Sequence, residues 1–125
     1  MIKVIGIPFD SNSSFLKGPA HAPTRIGLME HEGSANAYSE SGKEIIKGKN
    51  YDDLGDIAFK EANSADAFTI IKQVIAEQLL QEIKIFCYGG DHSVSYPVID
   101  TFSEKYKDLH VLHLDAHADL YENFY

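Results

Sequence analysis

The chain has 125 residues, 44% of them hydrophobic, with a formal net charge of −8, a size and balance that suit one ordinary globular domain. That acidity argues against nucleic acid or anionic membrane as partners and favours small cationic ligands. One cysteine, Cys87, excludes an internal disulfide and matches a reduced, cytoplasmic compartment.

In chain order, residues 2–7 form an apolar run that reads as a buried strand. The opening is too short and too soon interrupted for a signal peptide, and no apolar run approaches a membrane span. Residues 10–42, rich in Gly, Ser, Pro and Asn, read as a long loop holding one helical turn near residues 23–29, and a loop of that length in a compact domain is usually functional. Residues 44–55 predict one or two short strands divided by Gly48-Lys49-Asn50, a tripeptide that suits a hairpin turn. Asn63, with Asp66 three residues on, caps a helix in which Ala67, Phe68, Ile71, Val74, Ile75 and Leu79 recur at helical spacing to about residue 82. A strand over 83–88, a helix over 95–107 with Pro97 in its first turn, and a strand over 110–114 complete the series. Strands alternating with helices predict an α/β fold on a mainly parallel sheet, and no repeat, low-complexity tract or linker divides it.

Two clusters of chemically active residues lie just past predicted strands. Asp115-Ala116-His117-Ala118-Asp119 follows the last one, and an extended backbone there would send residues 115, 117 and 119 to one side. Two carboxylates and an imidazole in one pocket repel and desolvate each other unless a cation neutralises them, and oxygen with imidazole donors suits a divalent ion such as Mn²⁺. Gly89-Gly90-Asp91-His92-Ser93 follows the strand over 83–88. In parallel sheets ligand sites form where the chain leaves the carboxyl ends of strands, and paired glycines permit a sharp turn there. The two clusters can therefore meet at one site.

In this order, the two clusters resemble the first two metal signatures of the ureohydrolases, which include arginases, agmatinases and formimidoylglutamases. Gly6-Ile7-Pro8-Phe9-Asp10-Ser11, the stretch from Lys17-Gly18-Pro19 to Thr24-Arg25-Ile26, and Asp53-Leu54-Gly55-Asp56 resemble the family's opening strand, loop and second strand end. The resemblance implies a three-layer α/β/α domain of which residues 1–125 are the amino-terminal part. It also implies the residue roles: His92, Asp115 and Asp119 would hold one Mn²⁺, and His117 with a bridging Asp115 the second. Such an ion pair lowers the pKa of bound water and offsets developing charge. Asp119 would pass a proton to the leaving amine as a guanidino or amidino carbon is attacked, with urea released from guanidino substrates.

The family takes two further metal carboxylates from a later Asp-x-Asp strand end and a substrate-binding Glu beyond it. With four of six ligands present, the expectation for the 125-residue chain is at most one weakly held ion and little or no turnover. Sheet edges and apolar faces are expected to be exposed, and the full-length protein to be a homo-oligomer. Tyr121 stands where arginases carry an Asn that meets the substrate's α-carboxylate, and residues 119–124 loosely resemble agmatinases, so the resemblance implies an agmatine-like substrate. A non-catalytic remnant and a Zn²⁺ hydrolase on the related deacetylase fold are the alternatives, and Gly89 to Ser93 speaks against the second.

Several residues have simpler readings. His110 and His113 read as packed or hydrogen-bonded strand histidines, although parity places His113 on the same side as Asp115. Asp91 either orients a ligand histidine or caps the following helix. His21 reads as solvated, Glu122 as a surface charge, and Asp10 and Asp56 as turn residues or supports behind the site.

Overall fold

The computed structural model describes residues 1–60 and 63–119. Three parallel strands, β1 (Ile2–Gly6), β2 (Tyr51–Asp56) and β3 (Lys84–Tyr88), lie side by side in the order β2-β1-β3. The most apolar strand takes the central position, where it is hydrogen-bonded on both sides. β2, with Asp52, Asp53 and Asp56, forms an edge that charge protects from further pairing. Val4 pairs with Asp53 but Gly6 with Asp56, so β2 carries one extra residue, and Gly55 meets that bulge with a φ of 78°.

Helix α1 (Ala22–His31) follows a 3-10 turn over Pro19–His21, while α2 (Ser64–Leu79) and α3 (Ser95–Lys105) follow β2 and β3. α2 starts where Asn63 accepts the Asp66 backbone N–H at 3.0 Å and donates its amide to the Asp66 carboxylate at 2.7 Å. Its inner stripe of Ala67, Ile71, Ile75 and Leu79 is buried with Ile5, Ile7 and Phe9 from the central strand and its extension. Each buried isoleucine contributes about 1.5–3 kcal/mol of apolar transfer. α3 packs on α2 and is tied to it by the Lys72–Asp100 ion pair, and Lys105 donates to the Leu79 carbonyl at the end of α2, where backbone acceptors lack helical partners. On the opposite side of β1, Val4 and Gly6 line a cleft with Pro23, Thr24 and Gly27 of α1, so helices lie on both faces of the sheet. The three-layer parallel arrangement expected from sequence is thus present in reduced form.

Local expectations shift in four places. Residues 22–31 make a ten-residue helix instead of one turn. Residues 44–55 make no hairpin: β2 pairs in parallel with β1, and residues 38–51 contribute only isolated bridges, Tyr38 to Glu44 and Lys47 to Tyr51. Central β1 offers a free edge to β2, and that pairing outcompetes a local turn. Helices α2 and α3 stop at Leu79 and Lys105, a few residues early. The fourth change matters most, because residues 110–114 form no strand. An extended segment needs a neighbour for its N–H and C=O groups. Among the described residues none runs beside it, and Leu112 and Leu114 stand 85% and 86% exposed.

Candidate metal centre

All three strands run the same way, so their carboxyl ends lie at one edge of the sheet. There the chain leaving β1 and the chain leaving β3 remain paired: Ile7 donates to the Tyr88 carbonyl at 2.8 Å and Asp91 to the Phe9 carbonyl at 2.9 Å. Gly90 is required by this approach, since a Cβ at that position would lie 1.9 Å from the Phe9 oxygen.

Asp91 is buried and caps the 3-10 turn His92–Val94, its Oδ1 accepting from the Ser93 backbone N–H at 3.0 Å and hydroxyl at 2.5 Å. Its Oδ2 accepts the Asn12 backbone N–H at 2.9 Å. Asn12 bridges further, donating to Ser93 Oγ at 3.0 Å and accepting from Ser64 Oγ at 2.7 Å. Asp91 therefore caps and tethers, which decides between its two sequence readings, and no sequence signal singled out Asn12. A cleft of about 340 Å³ opens between Asn12 to Ser14 and Gly90 to Ser93, with His92 on its wall.

His92, at the start of the turn, points at the 113–119 segment. Its Nε2 lies 3.0 Å from Asp119 Oδ2, and its ring centroid lies 5.6 Å from that of His113. One ring nitrogen from each of His92 and His113 and one Asp119 oxygen all fall within 4.8 Å of one another. Donors on one ion with bonds of about 2.1 Å stand about 3.0 Å apart in cis and about 4.2 Å in trans, and the His92–Asp119 pair, at 3.0 Å, matches the cis spacing. Two imidazoles and a carboxylate suit a borderline divalent ion.

Asp115 and His117 sit beside this trio and outside it. His113 Nε2 is 3.8 Å from Asp115 Oδ2, and His117 Nδ1 is 3.6 Å from Asp115 Oδ1. The His117 backbone N–H donates to Asp115 at 2.9 Å and holds its carboxyl below the ordinary range; partial desolvation opposes this, and His113, His92 and His117 reinforce it. The 115–117 backbone is bent and Asp119 has a φ of 51°, so the alternation expected to align 115, 117 and 119 is not the geometry present. Without a ladder to keep it extended, the chain turns, and the turn carries Asp119 back to His92.

The remaining singled-out residues hold the surroundings together. Asp10 accepts the Gly18 and Ala20 N–H groups at 2.6 and 3.3 Å; the Gly18 contact chiefly lowers its pKa, against some desolvation. Asp56 accepts from the Thr24 hydroxyl at 2.7 Å, and His21 is exposed. Tyr121, Glu122 and most of the 119–124 segment lie outside the described residues.

A family model described as the arginase family matches residues 1–125. Arginase 1, mitochondrial, of Oryza sativa subsp. indica is 38% identical over 97% of the chain and 38% of its own length. The agmatinase of Bacillus cereus is 30% identical over 98% of the chain and 42% of its own length. The solved arginase of Medicago truncatula superposes with a TM-score of 0.86 at 31% identity, over 98% of the chain and 41% of that structure. The chain thus spans about two fifths of the length of these relatives.

Proposed function

The chain belongs to the arginase family, and from that premise we propose that it carries the first metal-binding half of a Mn²⁺-dependent ureohydrolase site acting on a small cationic guanidino or amidino compound. The observation that carries the reading is the approach of His92 Nε2 to Asp119 Oδ2 at 3.0 Å, made by two loops remote in sequence. Neither loop alone offers more than turn chemistry. By the family pattern His92, Asp115 and Asp119 would hold one ion, and His117 with a bridging Asp115 the other.

Bound there, the ions would supply Lewis acidity and a nucleophile at neutral pH. The chain's own contribution is positional. Asp91 and Gly90 fix the turn that presents His92, and the Asp115 carboxyl stays ionised, and so ready to coordinate, over a wider pH range because of the His117 N–H. Asp119 would carry the proton to the departing amine. The acidic chain favours a cationic substrate, and Tyr121 supports one without an α-carboxylate, such as agmatine. A cytoplasmic location and a homo-oligomeric full-length form belong to the same reading; no helix among the described residues is long and apolar enough to cross a membrane.

Among the described residues three donors converge, and three donors would hold one Mn²⁺ weakly. The test is elemental analysis of the purified 125-residue chain dialysed against Mn²⁺, with urea release from agmatine and arginine measured on the same sample. At most one loosely held ion, lost in His92→Ala and Asp119→Ala, and no turnover above background are expected. Two tightly held ions, enzyme-like turnover or metal uptake indifferent to both substitutions would each refute the reading.

A further inference from the structure

We propose that Asn12 is a positioning residue of the candidate metal centre: its side-chain amide holds the turn that presents His92 and ties that turn to the start of α2. The inference rests on the metal role proposed above for His92.

Packing does little to aim His92. Its side chain is 55% exposed and its ion-pair partner, Asp119, lies on the other loop, so the direction of the ring follows from the backbone of the turn beneath it. Asn12 reaches the residues on both sides of His92. Its backbone N–H donates to Asp91 Oδ2 at 2.9 Å, and its Nδ2 donates to Ser93 Oγ at 3.0 Å. The direction of the second bond is forced: the Ser93 hydroxyl gives its one proton to Asp91 Oδ1 at 2.5 Å, so toward Asn12 it can only accept. The amide orientation that follows leaves Asn12 Oδ1 to accept from the hydroxyl of Ser64, the first residue of α2, at 2.7 Å. One planar group thereby joins the loops after β1 and β3 to a helix of the core, and only a side-chain amide carries the donor and the acceptor that this needs. A carboxylate at residue 12 would set oxygen against the Ser93 oxygen. Asn12→Ala keeps the backbone bond to Asp91 and removes the two side-chain bonds alone.

Mn²⁺ affinity is measured by electron paramagnetic resonance on the purified chain and on Asn12→Ala, Ser93→Ala, the double variant, His92→Ala and Ile75→Val, with circular dichroism confirming that each is folded. Removing a group bonded to a metal ligand typically costs about 10–100-fold in affinity, and Asn12 acts one bond further out, so a loss of about 3- to 10-fold is expected in Asn12→Ala. Because Asn12 acts through Ser93, the double variant should bind within about twofold of Ser93→Ala. Ile75→Val loosens the core of α2 without touching these bonds and should bind as the parent does. Amide exchange in the metal-free chain is the independent readout: Asn12→Ala should speed exchange at Asp91 and Ser93 and leave Ile71, inside α2, at the parent rate. Parent-like affinity in Asn12→Ala beside an impaired His92→Ala would overturn the inference and leave the metal reading standing. Losses that multiply in the double variant, or an equal loss in Ile75→Val, would overturn it as well, the first by showing a separate role and the second general loosening. Unchanged exchange at Asp91 and Ser93 refutes it with no metal present. A parent that takes up no Mn²⁺, or a His92→Ala that binds as the parent does, removes the metal reading and this inference with it.

Discussion

Replacing Gly90 by alanine should separate the two loops that build the site. The added Cβ would lie 1.9 Å from the Phe9 oxygen, 2.7 Å from its carbonyl carbon and 2.8 Å from its nitrogen, all backbone atoms of a buried residue. Relief requires the chain after β3 to withdraw from the chain after β1 by more than an ångström. Overpacking of this kind costs about 1–3 kcal/mol. The withdrawal also strains the Asp91-to-Phe9 bond at 2.9 Å and the Asn12-to-Asp91 bond at 2.9 Å. A bond to a carboxylate is worth about 1.5–3 kcal/mol. The sum is about 2.5–6 kcal/mol, a large part of the 5–15 kcal/mol typical of a domain, and lowers Tm by roughly 10 °C or more. Gly89→Ala is the control. Its Cβ meets only Val94 Cγ2, at 3.2 Å, and its φ is not positive, so less than about 1 kcal/mol is expected. Urea unfolding followed by circular dichroism compares the pair. Equal stabilities within about 0.5 kcal/mol would show that the close approach does not constrain the chain.

Two further predictions concern the scaffold. Asn63→Ala removes the acceptor for the Asp66 N–H and should cost about 1 kcal/mol, with Asn63→Asp largely retaining the cap; equal midpoints for Asn63→Ala and the parent in urea would count against it. Burial against the core raises the Cys87 thiol from 9.0 to about 11. The folded state then keeps its proton where the unfolded chain releases it, so the thiol's contribution to stability is complete below pH 9 and is lost as pH rises to 11. The parent should therefore lose more stability than Cys87→Ala across that window, and parallel profiles would refute the assignment.

Much of the scaffold was legible because its signals are local. The stripe of Ala67, Ile71, Ile75 and Leu79 carries helical periodicity whatever surrounds it, and Asn63 with Asp66 marks the start. The apolar runs at 2–7 and 83–88 became β1 and β3 because each is short, β-rich and bounded by Gly or Pro. The run at 110–114 looks much the same, yet it forms no strand. A helix satisfies its own backbone, whereas a strand borrows its partners from elsewhere, and pairing is a property of neighbours that no local pattern contains. β2 illustrates the converse, since its acidic composition is poor strand material and the free edge of β1 recruits it.

The sequence by itself determined which donors exist and that each cluster follows an apolar run: His92 after two glycines, and His113, Asp115, His117 and Asp119 at alternate positions. It could not rank those donors, since all alternate positions in an extended chain are equivalent. Only the tertiary structure broke the equivalence. The bend at residues 115–117 and the positive φ of Asp119 swing one carboxylate toward His92, leave His113 within reach and turn His117 outward. Distances between loops far apart in the chain depend on how the strands beneath them pack, which is settled by summed burial and backbone pairing over the whole domain and not by the residues in the loops.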